Sequence, residues 1–249
     1  WTVPATTGLY FIKFTDGAGT APVPSTATWD LEDDVPVAVV YWNNSTSDYV
    51  FLEERHGLVL DWRTHQYLHL TRGTQYESGG AVSGYVLDSD ALADVQIALG
   101  AAYIWDEDLR HTVAARLEGS NWIKWYRNGA SGDWTLGGTE DTIPAYHATN
   151  TPKYNEWTGA TWQLTDMTNN YYMNIYVLAA GVVGGTDGWY LVPGQAEYSS
   201  EQEARNEGIN SLSLGDLPSP ETLPFLGKGC HARMTGTRGI QEREGVRVA

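Results

Sequence analysis

The chain has 249 residues, 42 % of them hydrophobic and only 18 % charged, with 11 Trp and 15 Tyr; this is ample apolar material for one large β domain or two smaller ones. A net charge of −16 repels phosphate backbones and anionic membrane surfaces, which argues against nucleic-acid binding, and no apolar run reaches the roughly 18 to 20 residues that membrane insertion by a helix requires. The single cysteine, Cys230, offers no internal disulfide.

In chain order, the sequence opens Trp1-Thr2-Val3-Pro4 without an initiator Met or a signal pattern, and reads as a fragment or processed product of a longer chain. Period-two alternation then sets Leu9, Phe11 and Lys13 on one face of a strand and Tyr10, Ile12 and Phe14 on the other, so both faces are expected to be buried. Pro22 and Pro24 exclude a central strand over 21–25. Val35 to Trp42 and Tyr49 to Glu53, joined by Asn43-Asn44-Ser45-Thr46-Ser47, predict a hairpin. Leu58-Val59-Leu60 and Tyr67-Leu68-His69-Leu70 read as strands, and so does Ala91 to Ile104, although Ser89-Asp90 could cap a helix there.

Two further hairpins are expected. Trp122 to Tyr126 and Trp134 to Leu136 flank Asn128-Gly129-Ala130-Ser131-Gly132, whose glycines permit the positive φ of a tight loop. Trp157 to Leu164 and Tyr171 to Val177 flank Thr168-Asn169-Asn170. The pattern changes after Pro193, where Ser200 and Glu203 form a capping box for one helix running toward Leu212, packed through Ala204, Ile209 and Leu212. Pro218 and Pro220 end it, and strands return over Phe225 to Met234. The expected fold is therefore mainly β, an antiparallel β-sandwich or sandwiches with a short C-terminal α/β segment. An antiparallel region covers 1–190, with a sub-domain break near 115–120, and a small α/β closing module covers 191–249.

Catalytic constellations are weak. Arg55-His56-Gly57 has the start of a histidine-phosphatase core, but Val59 stands where that family has its next arginine. His65 and His69 have i,i+4 spacing, yet on a strand they would lie about 13 Å apart, too far to share an ion. No Gly-x-Ser-x-Gly elbow, Gly-x-Gly-x-x-Gly fingerprint or Walker loop occurs, and Cys230-His231 lack a strained-turn context. No catalytic residue, metal ligand or cofactor is therefore assigned. Glycoside hydrolysis asks only for two carboxylates about 5 to 9.5 Å apart, and Asp106, Glu107, Asp108, Glu140 and Asp141 keep that alternative open.

The binding candidates are aromatic: Trp122, Trp125, Tyr126 and Trp134. Trp122, Lys124 and Tyr126 share one face of a strand, Ile123 and Trp125 the other. An exposed Trp and Tyr platform suits sugar rings or a partner protein, while burial of both faces makes the same residues packing in a sandwich.

Several segments in series resemble modules in virion proteins of tailed bacteriophages: Arg55-His56-Gly57, Thr64-His65-Gln66-Tyr67-Leu68-His69, Ile104-Trp105-Asp106-Glu107-Asp108 and Trp162-Gln163-Leu164. Tyr176-Val177-Leu178-Ala179, Gly194-Gln195-Ala196-Glu197-Tyr198-Ser199 and Leu217-Pro218-Ser219-Pro220-Glu221 continue the series, which covers residues 50 to 240. The resemblance implies a β-rich, frequently trimeric fibre, tip or decoration component, assembled in the host cytoplasm and carried on the virion. Its implied partners are further copies of itself, other virion proteins and a host-surface glycan or protein receptor. Lys228-Gly229-Cys230 departs from the apolar strand such proteins have near their end. The expected function is a tail-fibre or tail-tip protein contributing to attachment, with a head fibre or capsid decoration protein and a surface-glycan hydrolase as alternatives.

Overall fold

The computed structural model describes residues 2–15, 21–30, 33–53, 61–84, 96–106, 109–137, 142–144, 151–180, 188–208, 211–217, 225–228 and 232–233. Expectations for Arg55-His56-Gly57, Leu58 to Leu60, Ala91 to Val95, Ile209, Pro218, Pro220 and Cys230-His231 lie outside the described residues, as do Glu107, Asp108, Glu140, Asp141 and the side chain of Asp106.

The protein is mainly β. Strands β1 (Gly8–Thr15), β2 (Val23–Ser25), β3 (Asp34–Asn43) and β4 (Asp48–Glu53) form an antiparallel sheet in the order β2-β1-β3-β4. Pro24 is tolerated because β2 is short and lies at the margin, where no second neighbour needs its missing N–H. The β3–β4 hairpin forms as expected, with Trp42 opposite Tyr49. Its turn is shaped by Asn43, whose Oδ1 accepts the N–H groups of Ser45 and Thr46 at 3.0 and 3.3 Å.

The stretch Tyr67 to Leu70 is not a strand. It belongs to helix α1 (Trp62–Thr71), started by Asp61, whose carboxylate accepts the N–H groups of Arg63 and Thr64 and the Thr64 hydroxyl. That cap satisfies two of the donors a helix start leaves open and overrides the short alternating pattern. Strands β5 (Thr74–Gly79), β6 (Val82–Ser83), β7 (Ala98–Leu99), β8 (Ala102–Asp106) and β9 (Leu109–Val113) follow, as the sheet β5-β8-β9 and the pair β6-β7.

The remaining strands are β10 (Ile123–Asn128), β11 (Asp133–Leu136), β12 (Lys153–Trp157), β13 (Trp162–Asp166), β14 (Tyr172–Ala179), β15 (Trp189–Tyr198), β16 (Phe225–Lys228) and β17 (Ala232–Arg233); helix α2 (Glu201–Asn206) follows β15. A central sheet runs β11-β10-β15-β14-β16, with β17 also beside β14. The β10–β11 hairpin forms as expected, with Gly129 and Gly132 at φ +73° and +69° in its loop. One pairing breaks the antiparallel expectation: β10 and β15 run parallel, Ile123 opposite Tyr190. The expected pairing of Trp157–Leu164 with Tyr171–Val177 does not occur either. Thr158 to Thr161 fold a tighter turn inside the first segment, so β13 returns on β12 and β14 pairs with β15 instead.

Each face of the central sheet buries a different core, because alternate residues of a strand point in opposite directions. On one face Met173, Ile175, Val177, Ala179, Trp189, Leu191 and Trp122 meet Leu99, Ala102, Ile104 and Val113 from β7 to β9 and Ile97 just before β7. On the other, Tyr176, Leu178, Val192, Trp125 and Trp134 meet Val39, Tyr41 and Val50 from the β1–β4 sheet, joined by Trp29, Leu212 and Leu217. The β1–β4 sheet in turn buries Tyr10, Ile12, Ala38 and Val40 on its far side, so both faces of β1 are covered as expected. A fully buried Trp removes on the order of 200 Å² from water, a gross transfer gain of about 5 kcal/mol before entropy. Aromatic abundance is thus first a packing device.

The expected division at 190/191 falls inside β15, which continues past Pro193 through an irregularity in its pairing with β14. Residues near 115–120 are tied in as well: Leu99 and Arg116 exchange both backbone hydrogen bonds at 2.8 Å, and the buried Arg116 guanidinium lies 3.5 Å from the Trp122 ring centre. Helix α2 carries the expected capping box but ends at Asn206, with Leu212 buried from the following loop.

Candidate functional site

The four aromatic candidates divide by burial. Trp122, Trp125 and Trp134 are 0–1 % exposed. Trp122 faces the first core under Arg116, and Trp125 meets Tyr41 edge-on at 5.8 Å in the second. The Trp134 indole N–H donates to the Leu214 carbonyl. These three indoles are sandwich packing and present no ring to a surface ligand. Tyr126 is half-buried, and burial together with the Asp48 carboxylate pushes its phenol above the ordinary value. Lys124 is also taken inward, donating to the Ile143 carbonyl at 2.9 Å.

The aromatic surface lies elsewhere. At the end of the β12–β13 hairpin, Trp157 and Trp162 stand directly opposite each other, with ring centres 5.5 Å apart and planes at 43°. Trp157 is 45 % exposed. The pair directly opposite it toward the turn, Thr158 and Thr161, is held together by the Thr158 N–H on the Thr161 carbonyl at 3.0 Å. Trp157 and Trp162 therefore occupy a non-hydrogen-bonded position, where cross-strand side chains come closest. The backbone of Trp162, turned away from β12, exchanges both its hydrogen bonds with Gly129 at 2.9 Å, which fastens the hairpin to the β10–β11 loop.

Arg127 completes the arrangement. Its guanidinium lies 4.6 Å from the Trp162 ring centre, while its Nε donates to the Gly132 carbonyl at 2.8 Å and its Nη1 to the Ser213 hydroxyl and carbonyl. Desolvation lowers its pKa from the ordinary arginine value. Trp162 also lies against Gly132, where a Cβ would come within 2.8 Å of its Cδ1. Trp162 thus touches both the Arg127 guanidinium and the tilted Trp157 ring, and Trp157 is the exposed member of the three.

A second aromatic surface is the outer face of β5-β8-β9, where Trp105 is 37 % exposed. Beside it the Arg110 guanidinium lies 4.0 Å from the Tyr103 ring centre and makes a two-pronged ion pair with Glu77 at 2.6 and 3.0 Å. That hydrogen-bonded pair holds the Glu77 carboxyl below its ordinary pKa. The face is already paired within itself.

Neither surface holds a nucleophile beside a base, and among the described residues no group of three or more His, Cys, Asp or Glu could hold a metal ion. Helix α1 does restore to His65 and His69 the one-turn spacing that a strand would deny them. The sequence signal for Trp157 and Trp162 is two tryptophans bracketing a four-residue Thr-Gly-Ala-Thr turn, which divides the segment Trp157 to Leu164 between two strands. What the site can do chemically is bind a flat, weakly polar surface. No protein-family model, no curated protein and no solved structure matches the chain.

Proposed function

We propose that the chain is a structural protein of a tailed-bacteriophage virion, a tail-fibre or tail-tip component that contributes to host-surface attachment by binding rather than by catalysis. The observation that carries this reading is the split use of aromatic residues. Among the described residues Trp29, Trp122, Trp125, Trp134 and Trp189 are buried in the cores of stacked sheets, while Trp157 is held out at a hairpin end beside the half-buried Trp162. A rigid body with a preformed aromatic tip binds without first ordering itself, which lowers the cost of association. The ordered resemblance to phage virion modules supports the same reading, as does a charge of −16, which keeps a multi-copy surface protein away from nucleic acid.

The assembled state is proposed to be a homotrimer in contact with other virion proteins. Light scattering on the purified chain is expected to give three times the 27.5 kDa chain mass. An antibody to the chain is expected to label phage tails in electron micrographs, and the free chain to compete with phage for adsorption. Labelling of heads would favour a capsid decoration role, and absence of label on particles would overturn the virion reading.

A further inference from the structure

We propose that the Trp157–Trp162 pair is a stacking subsite for a neutral pyranose unit of a surface polysaccharide, an inference that rests on the attachment reading and names its ligand class. Three observations select that ligand. The first is shape. Trp157 is 45 % exposed at the start of a turn made of Thr158, Gly159, Ala160 and Thr161, and a Cβ placed on Gly159 would meet nothing within 4 Å, so the space at the turn is open. An exposed indole suits the C–H face of a sugar ring, which offers several polarised hydrogens to a π surface in one plane.

The second is charge. Arg127, the cation beside Trp162, directs its Nε and Nη1 to Gly132 and Ser213, so it is engaged within the fold rather than held out as an anion clamp. In a chain of net charge −16 an acidic glycan would also meet a repulsive field. A neutral sugar avoids both costs. The third is extent. One exposed indole beside a four-residue turn covers a sugar unit or two, far below the roughly 800 Å² per partner of a stable protein interface.

Pre-organisation makes so small a site useful. The Thr161 N–H donates to Thr158 Oγ1 at 3.1 Å and the Trp162 backbone exchanges both hydrogen bonds with Gly129, so the backbone that carries the pair is set before any ligand arrives. A single stacked unit of about a dozen heavy atoms is expected to bind with a Kd of about 1 mM. Repetition along a polysaccharide, together with copies of the chain on one particle, would raise the avidity well above that.

The test is a titration of the full chain with four neutral hexasaccharides, built of glucose, N-acetylglucosamine, galactose or mannose, followed by tryptophan fluorescence and ligand-observed NMR. At least one is expected to bind the native chain, and Trp157→Ala to weaken it by about tenfold or more. Trp105→Ala is expected to leave it unchanged, and Trp157→Phe, which keeps a flat ring, to recover most of the affinity. Circular dichroism of each variant separates lost binding from lost folding. Failure of all four sugars to bind, or equal binding by Trp157→Ala, would overturn the subsite. A chain that labels phage tails but binds none of these sugars loses this inference alone; one that binds sugar but is absent from particles loses the attachment reading alone.

Discussion

Asn155 substitutes for a strand at one buried point of β12. Its Oδ1 accepts the Arg127 N–H at 2.7 Å and its Nδ2 donates to the Arg127 carbonyl at 2.8 Å, with a further bond to the Gln163 carbonyl at 3.2 Å. Asn155→Ala would leave three backbone groups without their partner in a place that is 0 % exposed. The expected cost is about 2 to 4 kcal/mol, read as a lower urea midpoint with an unchanged slope. The tyrosines give a second prediction. Burial pushes the Tyr154 phenol up to about 12 and those of Tyr41, Tyr176 and Tyr198 higher still; at Tyr176 and Tyr198 the neighbouring Glu207 adds to the rise. Folded values above the unfolded value of about 10 mean that the unfolded chain gives up these protons first, so stability is intact below about pH 10 and falls as pH rises through the folded values. Tyrosinate absorbance for this buried group is expected to appear together with loss of the circular-dichroism signal; buried phenols titrating near 10 in the folded protein would contradict it.

At the level of elements, α2 shows how much one hydroxyl can organise. Ser200 Oγ accepts the Glu203 N–H at 3.2 Å, the Glu203 carboxylate accepts the Ser200 N–H in return, and Asn174 of β14 donates to the Ala204 carbonyl at 2.8 Å to dock the helix. Ser200→Ala is expected to cost about 1 kcal/mol, and hydrogen exchange should place the loosening at α2 rather than throughout the central sheet. That box was legible in the sequence because it is local, as were the β3–β4 and β10–β11 hairpins, whose turns carry their own instructions. Helix α1 was not: the preceding apolar run and Tyr67-Leu68-His69-Leu70 match a strand, and the Asp61 cap that decides for a helix emerges only in the structure. The partners of β13 and β14 depend on contacts far apart in sequence, and so does the exposure of each Trp. Nothing near Trp122 announces that β7 to β9 cover it, and nothing near Trp157 announces that its neighbours leave it open.

For the molecule as a whole, the central sheet is the shared wall of both main cores. Damage to one face moves the strands that build the other, so the described layers are expected to unfold together. Tryptophan fluorescence and far-ultraviolet circular dichroism should give one superimposable urea transition; two separated transitions would mean that the layers are independent units. The link between layers is specific as well as apolar, since the Tyr41 hydroxyl donates to the Trp134 carbonyl at 3.0 Å and accepts its N–H at 2.6 Å, while Asn43 Nδ2 reaches the same carbonyl at 2.7 Å. Trp134 lies in β11, the last strand of its sheet, opposite Arg127 in a pair whose backbone groups turn away from β10. Those outward groups are the ones Tyr41 and Asn43 occupy, and Asp48 takes the next outward N–H, that of Leu136, at 3.1 Å. The side of β11 that would otherwise recruit a foreign strand is therefore already filled by side chains, which protects this sheet margin from runaway β-aggregation.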